Sequence, residues 1–167
     1  MSLLRQGFGD QAAEGEGRLT LDDYLPYRLS VASNAVSGLI ARAYEDRFGL
    51  TIPQWRLICV LAEDGGQTQA KLVARTVMDK VTVSRAAQGL VKRRLVARSE
   101  NAADGRSHVL ALTPEGQSLY AEIAPLALAY EAALIAGLAP DEVALVKRLL
   151  SRLQTVAGQL AGEPRRG

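Results

Sequence analysis

The chain has a single cysteine, Cys59, and a single histidine, His108. No internal disulfide can form, and no set of Cys and His ligands exists for a structural zinc. Aromatic residues make up only 5% of the sequence, and strand-type runs are scarce beside Ala- and Leu-rich segments, so composition favours helices. Long hydrophobic runs are missing too. Charges interrupt the apolar stretches before they approach the roughly 18 to 20 residues that span a bilayer, and the N-terminus lacks a basic-then-apolar leader pattern. The expectation is a soluble, cytosolic protein with no membrane partner. Catalytic signatures are equally absent: there is no Gly-rich phosphate loop, no G-x-S-x-G elbow and no carboxylate pair set against a nucleophile. Neither an enzyme nor a cofactor is expected.

What is present is core material and an uneven charge. With 167 residues, 48% of them hydrophobic, the chain can bury a sizeable core as one compact unit or two small intergrown ones. The net charge is +2, but residues 65–113 hold nine Lys or Arg against three Asp or Glu, giving +6, and the remainder holds eleven against fifteen, giving −4. A basic patch of this kind attracts a polyanion, with a merely solvated face as the plainer alternative.

Periodicity divides the chain into a mobile tail (1–20), N-terminal scaffold helices (21–64), a basic middle (65–113), C-terminal helices (114–160) and a second tail (161–167). Between Tyr24 and Phe48, Leu25, Leu29, Val36, Leu39, Ile40, Ala43 and Tyr44 recur at helical spacing up to Gly49, predicting one long helix. Thr51 and Pro53 open a second helix with the apolar stripe Trp55, Ile58, Cys59 and Leu61. Thr68 is placed to cap a short helix carrying Ala70, Leu72, Val73 and Val77, and Asp79 to cap another running to about Arg94. Two helices this close, with small residues Ala86 and Ala87 at the contact, read as a helix-turn-helix.

Turning the second of these helices at about 100° per residue separates two faces. Val83, Ala86, Ala87 and Leu90 fall on one side; Val81, Ser84, Arg85, Gln88 and Lys92 form a stripe on the other. A recognition helix needs that division, because one face must pack while the other enters the major groove. Arg85 suits guanine O6 and N7, Gln88 suits adenine N6 and N7, and Val81 suits a thymine methyl. Downstream, "LVARSE" and "SHVLAL" are alternating segments on either side of "NAADGR", a β-hairpin with a loop. The result is a winged helix. Asp104 and Arg106 lie two apart in its loop, so the carboxylate could hold the guanidinium toward an adjacent minor groove.

The run "LTIPQWRLICVLAEDGGQTQAKLVARTVMDKVTVSRAAQGLVKRRLVARSENAADGRSHVLALTPEG", residues 50–116, resembles the core of the multiple-antibiotic-resistance regulator (MarR) family of bacterial transcription factors. The resemblance rests on T-V-S-R at Thr82 to Arg85, on the exit "GLVKRRLVAR", and on D-x-R followed by "VLALT" at Asp104 to Thr113. It implies a homodimer whose first and last helices interlock, with each winged helix facing half of a palindromic operator on double-stranded DNA. It further implies frequent repression, relieved by a small anionic or phenolic effector or by oxidation. Val81 departs from the small hydroxyl residue often found there, and Lys71 and Val73 deviate slightly from the usual run.

The expected architecture is therefore mainly α with a small β-hairpin wing, a winged helix-turn-helix joined to a helical dimerisation region. The candidate DNA-binding residues are Thr68, Lys80, Val81, Thr82, Ser84, Arg85, Gln88, Lys92, Asp104 and Arg106. Thr113, Pro114 and Glu115 open a long helix that Pro125 should kink. After a break at 137–140, Val143, Val146, Leu149, Leu150, Leu153, Val156 and Leu160 make an apolar face too wide for one subunit to cover. Arg28, Trp55 and Arg56 are candidate effector contacts, although Trp55 reads better as core filler and the arginines fit a solvated face equally well. His108 should face solvent or pair locally, and Cys59, on an apolar stripe, should be inert. The rival reading is a winged-helix module that binds protein or RNA and recognises no operator.

Overall fold

The computed structural model describes residues 18–101, 104, 105 and 107–162. Most of the two expected tails, and Arg106 in the wing loop, lie outside the described residues. Among the described residues seven helices and three strands follow in chain order: α1 (Leu25–Ala41), α2 (Glu45–Phe48), α3 (Ile52–Asp64), β1 (Gln67–Thr68), α4 (Gln69–Thr76), α5 (Lys80–Lys92), β2 (Val96–Glu100), β3 (His108–Leu112), α6 (Pro114–Ile135) and α7 (Pro140–Gly162). They form two compact units, one of residues 33–134 and the other of the segments before and after it.

The predicted first helix is in fact two. A turn at 42–44 separates α1 from α2, because the chain must bend there to bury Ala43 and Tyr44, and Gly49 then closes α2 with φ of 60°. Local chemistry explains the elements that follow. Thr51 caps α3 in a reciprocal box: its hydroxyl accepts from the Gln54 amide, and its own amide donates to Gln54 Oε1 at 3.0 Å. The buried side of α3 holds Trp55, Leu57, Ile58 and Leu61. Leu57 was not foreseen, and Cys59 is only half-buried.

The core of the 33–134 unit gathers Tyr44, Leu50, Leu57, Ile58, Leu72, Val83, Leu90 and Ile123, each at most 2% exposed. Trp55 stacks on Tyr44 with ring centroids 5.4 Å apart and on Tyr120 at 5.8 Å. Burial, reinforced by the charge of Glu45, pushes the Tyr44 phenol up to about 12.

The sheet is antiparallel in the order β1-β3-β2. The expected hairpin pairs Val96 with Leu112 through Glu100 with His108, and β1 adds an unforeseen third strand by pairing Gln67 with Leu110 and Thr68 with Val109. Two residues is too short a run for an alternation pattern to announce itself.

Helix α6 continues through Pro125. By length and composition it is apolar enough to cross a membrane, against the expectation that no stretch approached that limit. Ile123 is part of the core, and Leu119, Tyr120, Ala124, Ala127 and Tyr130 pack partly buried against it, whereas Leu126, Leu128 and Leu134 are exposed. In the other unit, α7 buries none of its residues, and Leu145, Val146, Leu149, Leu150, Leu153, Val156 and Leu160 are all exposed.

Candidate nucleic-acid interface

Helices α4 and α5 are joined by a short turn whose two caps set their directions. Thr68 caps α4, its hydroxyl accepting from Lys71 N at 3.3 Å. At the other end Val77 turns left-handed, with φ of 56°, and its N–H reaches the Val73 carbonyl at 3.0 Å. Val77 therefore does not continue the apolar stripe expected of this helix. It lies beyond the last turn and is 73% exposed, while Leu72 alone of the predicted four is buried.

Asp79 then opens α5. Its carboxylate accepts the Thr82 amide at 2.8 Å and the Thr82 hydroxyl at 2.6 Å. The hydroxyl bond, followed by the amide bond, holds the Asp79 carboxyl below its ordinary value. Thr82, included among the DNA-facing candidates, spends its hydroxyl proton on this cap.

The two faces of α5 fall as the helical angle requires. Val83, Ala86, Ala87 and Leu90 are buried, whereas Lys80, Val81, Arg85, Gln88 and Lys92 are exposed and Ser84 is half-buried, accepting from Gln88 Nε2 at 3.4 Å. Gly89 lies under Gln54, where an added Cβ would stand 2.5 Å from Nε2, the end of that flexible side chain.

A cleft of about 690 Å³ opens between α5 and the wing, with Thr68, Ser84, Gln88 and Lys92 on one side and Arg98 and His108 on the other. Arg98 and His108 were not among the predicted contacts. His108 neither faces open solvent nor pairs locally: it is half-buried, and its buried Nδ1 has no hydrogen-bond partner among the described residues. Its place facing α5 depends on strand register, which a single β-run cannot reveal. At the loop, the Asp104 carbonyl accepts from Ser107 N at 2.9 Å, and Asp104 N donates to Asn101 O at 3.0 Å. The proposed pairing of Asp104 with Arg106 lies outside the described residues.

The exit of α5 is a junction that spacing alone did not show. Arg93 reaches back 44 residues to donate to Gly49 O at 3.0 Å, and to Phe48 O at 2.7 Å. Arg94 turns left-handed with φ of 59°, and its carbonyl accepts from the Thr113 hydroxyl at 2.8 Å. That hydroxyl also accepts from Gly116 N at 3.0 Å, so the cap of α6 is fixed to the end of α5.

Of the effector candidates, Trp55 is 8% exposed and stacked on two tyrosines. Arg56 is exposed and donates to Ser37 Oγ at 3.5 Å. Arg28, in the other unit, donates to Asp22 O at 3.4 Å. Cys59 has its thiol pushed up to about 11 by burial and by the nearby Glu63, so little thiolate exists at neutral pH. Among the described residues no group of three or more His, Cys, Asp or Glu could hold a metal ion.

A capped two-helix turn, an outward polar stripe and a three-stranded wing define a winged-helix DNA-binding protein. Comparison with known proteins narrows the class. The family model described as "MarR family" matches residues 48–107. A MarR family transcriptional regulator from Silicibacter pomeroyi is 31% identical, with 82% of this chain and 91% of that one covered and a TM-score of 0.72. BpsR of Bordetella bronchiseptica, whose DNA binding is regulated by 6-hydroxynicotinic acid, is 27% identical over 83% of this chain and 98% of that one, with a TM-score of 0.75. The transcriptional regulator HosA of Escherichia coli is 28% identical over 62% of this chain and 77% of its own length. The chain belongs to the MarR family of transcriptional regulators, and it is a DNA-binding regulator, not an enzyme.

Proposed function

We propose that this regulator acts in the cytoplasm as a homodimer that reads a palindromic operator with α5 and represses transcription until a small anionic or phenolic effector releases it. The observation that carries the reading is the exposed row Val81, Arg85, Gln88 and Lys92 on a helix whose opposite face is wholly buried. Arg85 takes guanine O6 and N7 and Gln88 takes adenine N6 and N7. Lys80 and Lys92 meet phosphates, and Val81 meets a thymine methyl. Across the cleft, Arg98 follows the backbone, and Asp104 and Arg106 remain the candidates for the neighbouring minor groove. Arg28, Trp55 and Arg56 remain the effector candidates. The regulation of BpsR by 6-hydroxynicotinic acid supports an aromatic acid as the effector class.

Selection of bound fragments from random duplex DNA, repeated with aromatic acids present, tests this directly. The expected product is an inverted repeat with half-sites about one helical turn, 34 to 36 Å, apart. Arg85→Ala should lower operator affinity about tenfold or more and relax the preference at one base pair, a bidentate contact being worth roughly 1 to 3 kcal/mol. Affinity that ignores salt concentration, or an Arg85 variant as selective as the parent, would overturn the assignment. The first outcome would favour a protein-binding winged helix.

A further inference from the structure

Val77 is costly where it stands. A left-handed φ of 56° at a helix end is a glycine position, and a β-branched side chain makes it a strained one. The side chain also recovers nothing by burial, since 73% of the residue is exposed, the highest value among the large hydrophobics exposed in the structure. Neither the turn geometry nor the core requires valine here. Strained backbone that the fold does not need points to use by something outside the fold.

The position says what that partner is. Between residues 51 and 113 the large hydrophobics exposed in the structure are Val77, Val81 and Val91. Val77 caps the end of α4 and opens the turn that leads to α5, Val81 is the second residue of α5, and Val91 lines the cleft toward the wing. Val81 and Val91 thus lie on the helix read as meeting DNA, and Val77 stands in the turn three residues ahead of its first residue, Lys80, next to the N-terminal end that enters deepest among the bases. The only apolar group that base edges display in the major groove is the C5 methyl of thymine. Resting on the reading of α5 as the recognition helix, we infer that Val77 is a specificity-determining residue that packs on a thymine methyl at the edge of each half-site, beyond the base pair met by Val81.

The test uses the operator selected by the parent protein and removes single methyl groups by replacing each thymine with deoxyuridine. The parent should lose several-fold in affinity at one position outside the Arg85 and Gln88 contacts. Val77→Ala and Val77→Gly should bind the thymine operator with the same several-fold loss and show no further loss when that one thymine becomes deoxyuridine. Val77→Gly should at the same time melt at a higher temperature, because it relieves the left-handed strain. Stability rising while affinity falls is a pattern that a purely structural residue does not give. If the variants retain the parent's affinity, or still respond to deoxyuridine at every position as the parent does, the inference about Val77 is overturned and the reading of α5 stands. A parent that selects no sequence overturns both.

Discussion

At the scale of single residues, the positions that fix the interface are mostly those where a side chain is absent or already committed. Gly116 is buried at the start of α6, and a Cβ there would drive into the carbonyl of Leu95. That carbonyl accepts from Thr113 N at 3.1 Å, so it cannot move without loosening the link between the exit of α5 and the cap of α6. Gly116→Ala is expected to destabilise the protein by roughly 1 to 3 kcal/mol, the usual range for overpacking, in spite of alanine's better helix propensity. Denaturant unfolding measures this, and an alanine variant as stable as the parent would show that the junction is not tight. Such backbone contacts are invisible in sequence, whereas the outward set Arg85, Gln88 and Lys92 was legible because helical geometry alone separates it from Val83, Ala86, Ala87 and Leu90. Val77 was misread for the same reason in reverse: its spacing continued the helix, but the chain had already turned. Arg93 escaped notice because its partners, the carbonyls of Phe48 and Gly49, are 45 and 44 residues away.

Capping chemistry makes most helix boundaries readable: Thr51, Thr68, Asp79 and Thr113 are each expected to open a helix and each accepts the amide hydrogen bond that does so. What spacing could not give was the break between α1 and α2, because apolar residues recur through it, or the strand β1, which exists only because β3 offers it an edge. Asp79 carries a pH dependence of known sign. Its carboxyl is held below the ordinary value of 3.8 by the Thr82 hydroxyl and amide, so the folded state binds its proton less readily than the unfolded chain. The stabilisation is fully present above the unfolded value and is lost as pH falls through the lower folded one. Asp79→Asn keeps a side-chain oxygen for the cap but not the charge. The melting temperature of the parent should therefore exceed that of the Asn variant by a constant margin near neutrality, and the margin should shrink only below about pH 4. A margin that persists unchanged into stronger acid would assign the effect to something other than this carboxylate.

For the whole molecule, the decisive feature is the apolar surface of the unit formed by residues before 33 and after 134. Leu145, Val146, Leu149, Leu150, Leu153, Val156 and Leu160 of α7 are each 40 to 60% exposed, and Leu25 and Val31 of α1 in the same unit are exposed as well. The proposed dimer would use this surface: apolar area of this composition, in place of the scattered apolar residues normal for a monomer, suits association, and a two-fold contact between identical copies is the commonest form. A second copy also supplies what DNA reading needs, since one α5 covers a single major-groove segment and two at fixed spacing cover an inverted repeat. Burying a leucine is worth roughly 1.5 to 3 kcal/mol, and a two-fold axis counts each substitution twice. Leu149→Glu combined with Leu153→Glu should consequently halve the mass seen in sedimentation equilibrium at micromolar concentration. Helix content by circular dichroism should fall little, because neither side chain packs into the core of its own chain. Affinity for the full inverted repeat should drop at least tenfold, whereas affinity for an isolated half-site should stay near that of the parent. A parent that sediments as a monomer, or a doubly substituted protein that keeps both its mass and its operator affinity, would remove α7 from the assembly and leave the two-fold reading of the operator without a molecular basis.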